Sequence, residues 1–124
     1  VNEIYKAIFD RVNSQTDYDC FDEIPQDWAV YPVIKIEPVD QDLLDMDDAT
    51  DFDLTIQIIS YSKYSGSKEI LDIAKTIYTA LHRWAATNTT TYAITNVKQV
   101  FDSTIAESKI RKNIQRYLIT YEDL

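Results

Sequence analysis

The chain has 124 residues, with Lys plus Arg at 12 against Asp plus Glu at 21, a formal net charge of -9. That length and a 45% hydrophobic fraction fit one globular domain, residues 1–124, with a core of its own. One glycine, one cysteine and one histidine exclude the Walker loop, the dinucleotide fingerprint, the nucleophile elbow, an internal disulfide and a Cys/His zinc site, each of which needs more of these residues.

Residues 2–13 are expected to form an amphipathic helix. Ile4, Ile8 and Val12 recur every fourth position beside Ala7 and Phe9, with Asn2 as a cap and Glu3 in the first turn. Residues 14–28 are mostly polar, with room for a short strand at 18–21. Residues 28–39 read as a strand, with Val30, Ile34 and Ile36 on one face and Lys35 and Glu37 on the other. Pro32 and Pro38 lack donors and suit an edge or a bulge. Residues 40–51 read as a long solvated loop in which Asp40, Asp42, Asp45, Asp47, Asp48 and Asp51 crowd around Leu43, Leu44 and Met46 with no basic residue. Residues 52–62 give the clearest strand: Phe52, Leu54, Ile56 and Ile58 face one way, and Asp53, Thr55, Gln57 and Tyr61 the other.

A turn at Ser65, Gly66 and Ser67 leads into a helix over 68–86, with Ile70, Ile73, Ala74, Ile77, Leu81 and Trp84 as its core stripe. Lys68 and Asp72 can pair on its wet side. The polar run 87–91 ends it, because Thr and Asn side chains compete for helical backbone groups. A third main strand spans 92–101, with Ala93, Thr95, Val97, Gln99 and Phe101 on one face. Residues 102–113 are polar and mixed, and 114–121 form the last strand, with Tyr117, Ile119 and Tyr121 together. The order predicts an α+β domain: a mainly antiparallel sheet with two helices packed on one face.

Candidate chemistry is sparse. No local signature joins His82 to a Ser-His-Asp arrangement, and it reads instead as a partly exposed helix residue near a C-terminal end. Nothing basic surrounds Cys20 in sequence to lower its thiol pKa, so it reads as a small apolar residue. The aspartates of 40–53 could hold a divalent cation or do acid–base work. Counting from Asp40 puts Leu44 fifth and Asp45 sixth, so the calcium-loop pattern fails at a ligand and at its glycine. Lys109, Arg111, Lys112 and Arg116 form the one basic cluster, fit for a protein contact or a wet surface. Nine tyrosines exceed what a core of this size needs and suit an interface. No run approaches the roughly 18 apolar residues of a membrane span. The mixed-charge start is unlike a signal peptide, so synthesis in a reducing cytoplasm is expected, and the sequon at Asn88 reads as a polar turn. The acidic balance disfavours nucleic acid as a bound target.

Certain segments carry a resemblance. They are Tyr31-Pro32-Val33-Ile34-Lys35-Ile36, the acidic stretch after it, residues 53–62, the helix containing Ile77-Tyr78-Thr79-Ala80-Leu81, and the closing strand Arg116-Tyr117-Leu118-Ile119-Thr120-Tyr121. In order and content the chain resembles the tail terminator, or tail-completion, proteins of long-tailed bacteriophages, the group that includes the lambda minor tail protein U. Many relatives carry Trp-Ser where this chain has Tyr61-Ser62, and more glycine in their loops. The resemblance implies a structural virion protein of the tail-neck region, with no catalytic residues, metal or other cofactor. It implies a ring, usually a hexamer, that caps the head-proximal end of the tail tube and stops its growth. Its partners would be other copies of itself, the major tail tube protein and a head-completion or connector protein, with DNA passing through unread and no membrane. In such a ring the aspartate stretch would meet a neighbour's basic segment or line the channel. The alternatives are another neck or baseplate protein, or a small cation-binding domain or enzyme using residues 40–53.

Overall fold

The computed structural model describes residues 2–43, 51–64, 66–85, 92–107 and 109–123. They form α1 (Asn2–Gln15), β1 (Asp19–Phe21), β2 (Val33–Leu43), β3 (Asp51–Ser62), α2 (Lys68–Leu81), β4 (Tyr92–Glu107) and β5 (Ile110–Asp123). The strands make one sheet in the order β1-β2-β3-β5-β4. β1 runs parallel to β2, and the other neighbours are antiparallel. The expected α+β architecture is present.

Isoleucine builds the core. On α1, Ile4, Ile8 and Val12 fall on one stripe; on α2, Ile73, Ile77 and Leu81 do the same. On the strands, Ile34 and Ile36, then Leu54, Ile56 and Ile58, then Tyr117, Ile119 and Tyr121 alternate toward the helices, and all are essentially fully buried. Helix stripe and sheet face therefore share one cluster. Each such side chain contributes about 1.5–3 kcal/mol of transfer free energy. Arg11 ties the two helices together: its Nε donates to the Ala80 carbonyl at 3.0 Å, and its guanidinium lies 5.3 Å from the Trp84 ring.

The buried sheet face is not wholly apolar. Near the start of α2, Ser60, Ser62, Asn113 and Gln115 are buried. Gln115 donates to the Ala74 carbonyl at 2.9 Å, and the Tyr117 hydroxyl donates to Gln115 at 2.7 Å. Gln99 donates to Tyr117 at 3.3 Å, Ser62 donates to Glu69 at 2.6 Å, and Asn113 donates to Asp102 at 2.8 Å. Gln115 and Ser62 thereby tie α2 to one seating on the sheet, while Ser60 Oγ and Asn113 Oδ1 have no hydrogen-bond partner among the described residues.

Several sequence expectations change. The strand expected from residue 28 begins at Val33, since Pro32 has no N–H for the ladder, and Val30 is 58% exposed rather than in the core. The aspartate stretch is not all loop. Asp40, Gln41, Asp42 and Leu43 continue β2 opposite β3 after a bulge between Pro38 and Asp40, and Asp51 already belongs to β3. Asp45, Asp47 and Asp48 lie outside the described residues.

The helix expected to reach 86 stops at Leu81. His82 turns extended, and Arg83 takes the left-handed conformation (φ 59) that a helix end usually gives to glycine. The Arg83 N–H donates to the Val97 carbonyl at 2.9 Å, which offsets that cost. Trp84 therefore lies beyond the helix, though it packs against the core. β4 has register shifts between Ile94 and Asn96 and between Gln99 and Phe101. These bulges reset the alternation, so Ile94 and Val97 are buried while Phe101 is 41% exposed. The single face expected for Ala93 to Phe101 does not exist. Residues 102–113, expected to be irregular, are mostly strand, because Asp102 to Glu107 pair with Gln115 to Ile110.

Leu81 closes the core stripe of α2 and is fully buried. Leu81→Ala should lower unfolding free energy by about 2–5 kcal/mol. Urea denaturation followed by circular dichroism measures it, and a loss below about 0.5 kcal/mol would remove Leu81 from the core.

Candidate interaction surface on the open sheet face

With both helices on one side, the other side of β2, β3, β5 and β4 carries the alternate residues of each strand. Register places Lys35, Glu37, Gln57, Ile59, Ile114, Arg116, Leu118 and Phe101 there. A polar rail crosses this face from strand to strand. Lys35 Nζ lies 3.2 Å from Glu37, Gln57 donates to Glu37 at 2.8 Å, and Arg116 Nε donates to Gln57 at 2.8 Å. The Arg116 guanidinium then lies 4.9 Å from the Phe101 ring. Arg116 is thus held at Nε and stacked on an aromatic face, with its planar fork at an exposed position.

The sequence-derived candidates separate along the strands. Lys109 is exposed in the turn between β4 and β5. Arg111 sits opposite Ser62 and Ala106, Lys112 opposite Tyr61 and Ile105, and Arg116 opposite Gln57 and Phe101. Asp42 pairs in register with Asp53, Asp51 with Glu122, and Asp40 with Thr55. Lys109, Arg111 and Lys112 therefore occupy the end of the sheet where β5 begins, and Arg116 lies midway along β5. Positions 40, 42, 51 and 53 occupy the end where β5 finishes. Like-charge neighbours across strands are unfavourable. At Asp53 part of that cost is offset by a hydrogen bond from Thr120 at 3.0 Å.

Sequence reasoning missed Lys35, Glu37, Gln57 and Phe101 as members of this surface. Their spacing of two residues within a strand was visible, but the rail needs the register between strands. Among the described residues, no group of three or more His, Cys, Asp and Glu is placed to hold a metal ion. His82 stacks on Tyr78 with ring centroids 4.6 Å apart, and its Nδ1 is buried without a hydrogen-bond partner among the described residues. A shallow groove of about 340 Å³ beside the helices is lined by Arg11, Gln15, Lys75, Thr76, Thr79 and Ala80. No helix of the described residues is long and apolar enough to cross a membrane.

The domain is an α+β sheet-and-helix fold shared with a solved virion component. It matches a chain of the "Virion of native gene transfer agent (GTA) particle" with a TM-score of 0.75, at 10% identity, over 98% of this chain and 96% of that one. No protein-family model and no curated protein matches the sequence.

Cys20 is half-buried, and its thiol donates to the Tyr18 carbonyl at 3.6 Å. Burial pushes the thiol up to about 11 from 9.0, and Asp19 adds to the shift. Tyr5, which donates to the Ile36 carbonyl at 2.5 Å, is pushed up to about 12 by burial and by Asp22 and Glu37. A raised folded-state value favours the neutral form. The stability it contributes is therefore complete below the unfolded value and is lost as pH rises through the folded one. The denaturation midpoint should fall between pH 9.0 and about 11 as Cys20 ionises. Cys20→Ala should lack that part of the slope while keeping the later fall from Tyr5. Iodoacetamide should label native Cys20 far more slowly than the unfolded chain at about pH 8. Equal labelling rates would show that the thiol is not held neutral.

Proposed function

We propose that this chain is a structural protein of a tailed virion, acting as a tail terminator. It forms a closed ring, with six copies as the resemblance implies, on the head-proximal end of the tail tube. The ring stops tube growth and offers its far side to a head-completion or connector protein, and DNA passes through without being read. No turnover is part of this role. The observation that supports the reading most is the near-complete match of this fold, at a TM-score of 0.75, to a chain of a virion particle. The chain's own likeness in element order to tail terminators supports the finer assignment. The broad face organised by side chains, with a shallow groove beside the helices, suits protein contact more than small-molecule binding.

A closed ring needs a head-to-tail interface whose rotation closes. Tube contact can supply ordering energy, so the ring forms fully only at a tube end. Adding the protein to polymerising tail tube protein should shorten the tubes and place a ring at one end, seen by electron microscopy. Mass measurement of the protein with and without tubes gives the copy number. Unchanged tube lengths with bare ends, or a stable two-fold dimer that never joins a tube, would overturn the proposal.

A further inference from the structure

We infer that the open sheet face around Arg116 and Phe101 docks a second copy of this chain, through the acidic end of that copy's sheet. The inference rests on the ring reading above and identifies the contact that would build it.

Three observations converge on this face. Arg116 is preorganised: its Nε is held by Gln57 at 2.8 Å and its guanidinium lies 4.9 Å from the Phe101 ring. That arrangement leaves the two terminal amino groups as a fork matched to a carboxylate. Among the described residues no carboxylate forms an ion pair with Arg116, whereas Lys35 pairs with Glu37 and Lys68 with Asp72. Beside it, Val100 is 50% and Phe101 41% exposed on the outermost strand. An arginine with apolar neighbours is the composition of an interface hot spot.

The occupant follows from charge. With a net charge of -9, a second copy is a dense source of carboxylates. Asp53 and Glu122 both lie toward the far end of the sheet, two register positions apart, where Asp42 is in register with Asp53 and Asp51 with Glu122. Each copy thus carries one receiving patch and one donating end, at different places along its strands. Such a contact is heterologous and can repeat from copy to copy. A two-fold packing of one open face on another would bury the whole Lys35–Glu37–Gln57–Arg116 rail, a costly removal of charges from water. An approach along β4 reaches Arg116 and Phe101 and leaves Lys35 and Glu37 in solvent.

The test compares the full chain with Arg116→Glu, and with Arg116→Glu combined with Asp53→Lys or, separately, Glu122→Lys. Thermal melts confirm that each variant is folded. Self-association is read by sedimentation and native mass spectrometry at low and high salt, for the protein alone and bound to tail tube ends. Arg116→Glu should weaken self-association about tenfold or more at low salt, with a smaller loss at high salt. At least one charge-swapped double variant should recover most of it. Unchanged assembly of Arg116→Glu at low salt overturns the inference. So does a loss of tube binding with self-association intact, which would assign the face to the tube protein. A parent that stays monomeric both in solution and at tube ends overturns it too. A parent that self-associates through Arg116 but never caps a tube leaves the contact standing and removes the terminator role.

Discussion

Two helices of 14 residues each are all the helical cover this five-stranded sheet has among the described residues, and both lie on the same side. That placement concentrates the isoleucines of α1, α2 and the three central strands in one cluster, where each buried side chain serves helix and sheet together. It also dictates the chemistry of the opposite side. Strand alternation obliges every second residue to face away from the helices. In this chain those positions hold Lys35, Glu37, Gln57 and Arg116 interleaved with Ile59, Ile114, Leu118 and Phe101. The rail is therefore a consequence of one-sided cover. Polar residues that bond across strands keep an uncovered sheet in register while leaving it compatible with water.

The covered side has its own polar device. Gln115 donates to a carbonyl in the middle of α2, and Tyr117 and Gln99 continue the chain of hydrogen bonds. Sliding α2 along the sheet would keep much of its apolar contact but would leave the Gln115 amide donor without the Ala74 carbonyl. An unsatisfied buried polar group costs about 1–3 kcal/mol. Isoleucines supply most of the cohesion, and a few amides select one arrangement among several of similar burial.

What the sequence revealed depended on how local the cause was. Residues 52–62 and the stripe from Ile70 to Leu81 were legible because alternation and helical periodicity act within a few residues. The end of α2 was not. Its left-handed residue is Arg83 rather than a glycine, and its compensation is a carbonyl on β4 that no local pattern announces. Strict alternation through 92–101 puts Phe101 on one face with Val97, and the two bulges that separate them depend on pairing with β5. Residues 102–113 looked irregular because their inward positions hold Asp102, Thr104 and Asn113, whose Nδ2 donates to the other two, rather than an apolar row. At the surface, the charged residues were individually visible. The placement of Lys109, Arg111 and Lys112 away from Asp53 and Glu122 follows only from the antiparallel register.

The bulges of β4 have a further consequence. A long outermost strand exposes a row of backbone donors and acceptors that can template another strand, and that another again, without limit. At Thr95 and at Val100 the ladder of β4 slips by one residue, so its outer rim does not present one uninterrupted register. A chain laid against it would match one portion and fall out of step at the next. Fibre-like growth through backbone pairing is thereby discouraged, and lateral contact is left to side chains, which recognise a particular partner in a particular orientation. For a protein whose proposed task is to bring a polymer to an end, an edge that resists being copied is a fitting boundary.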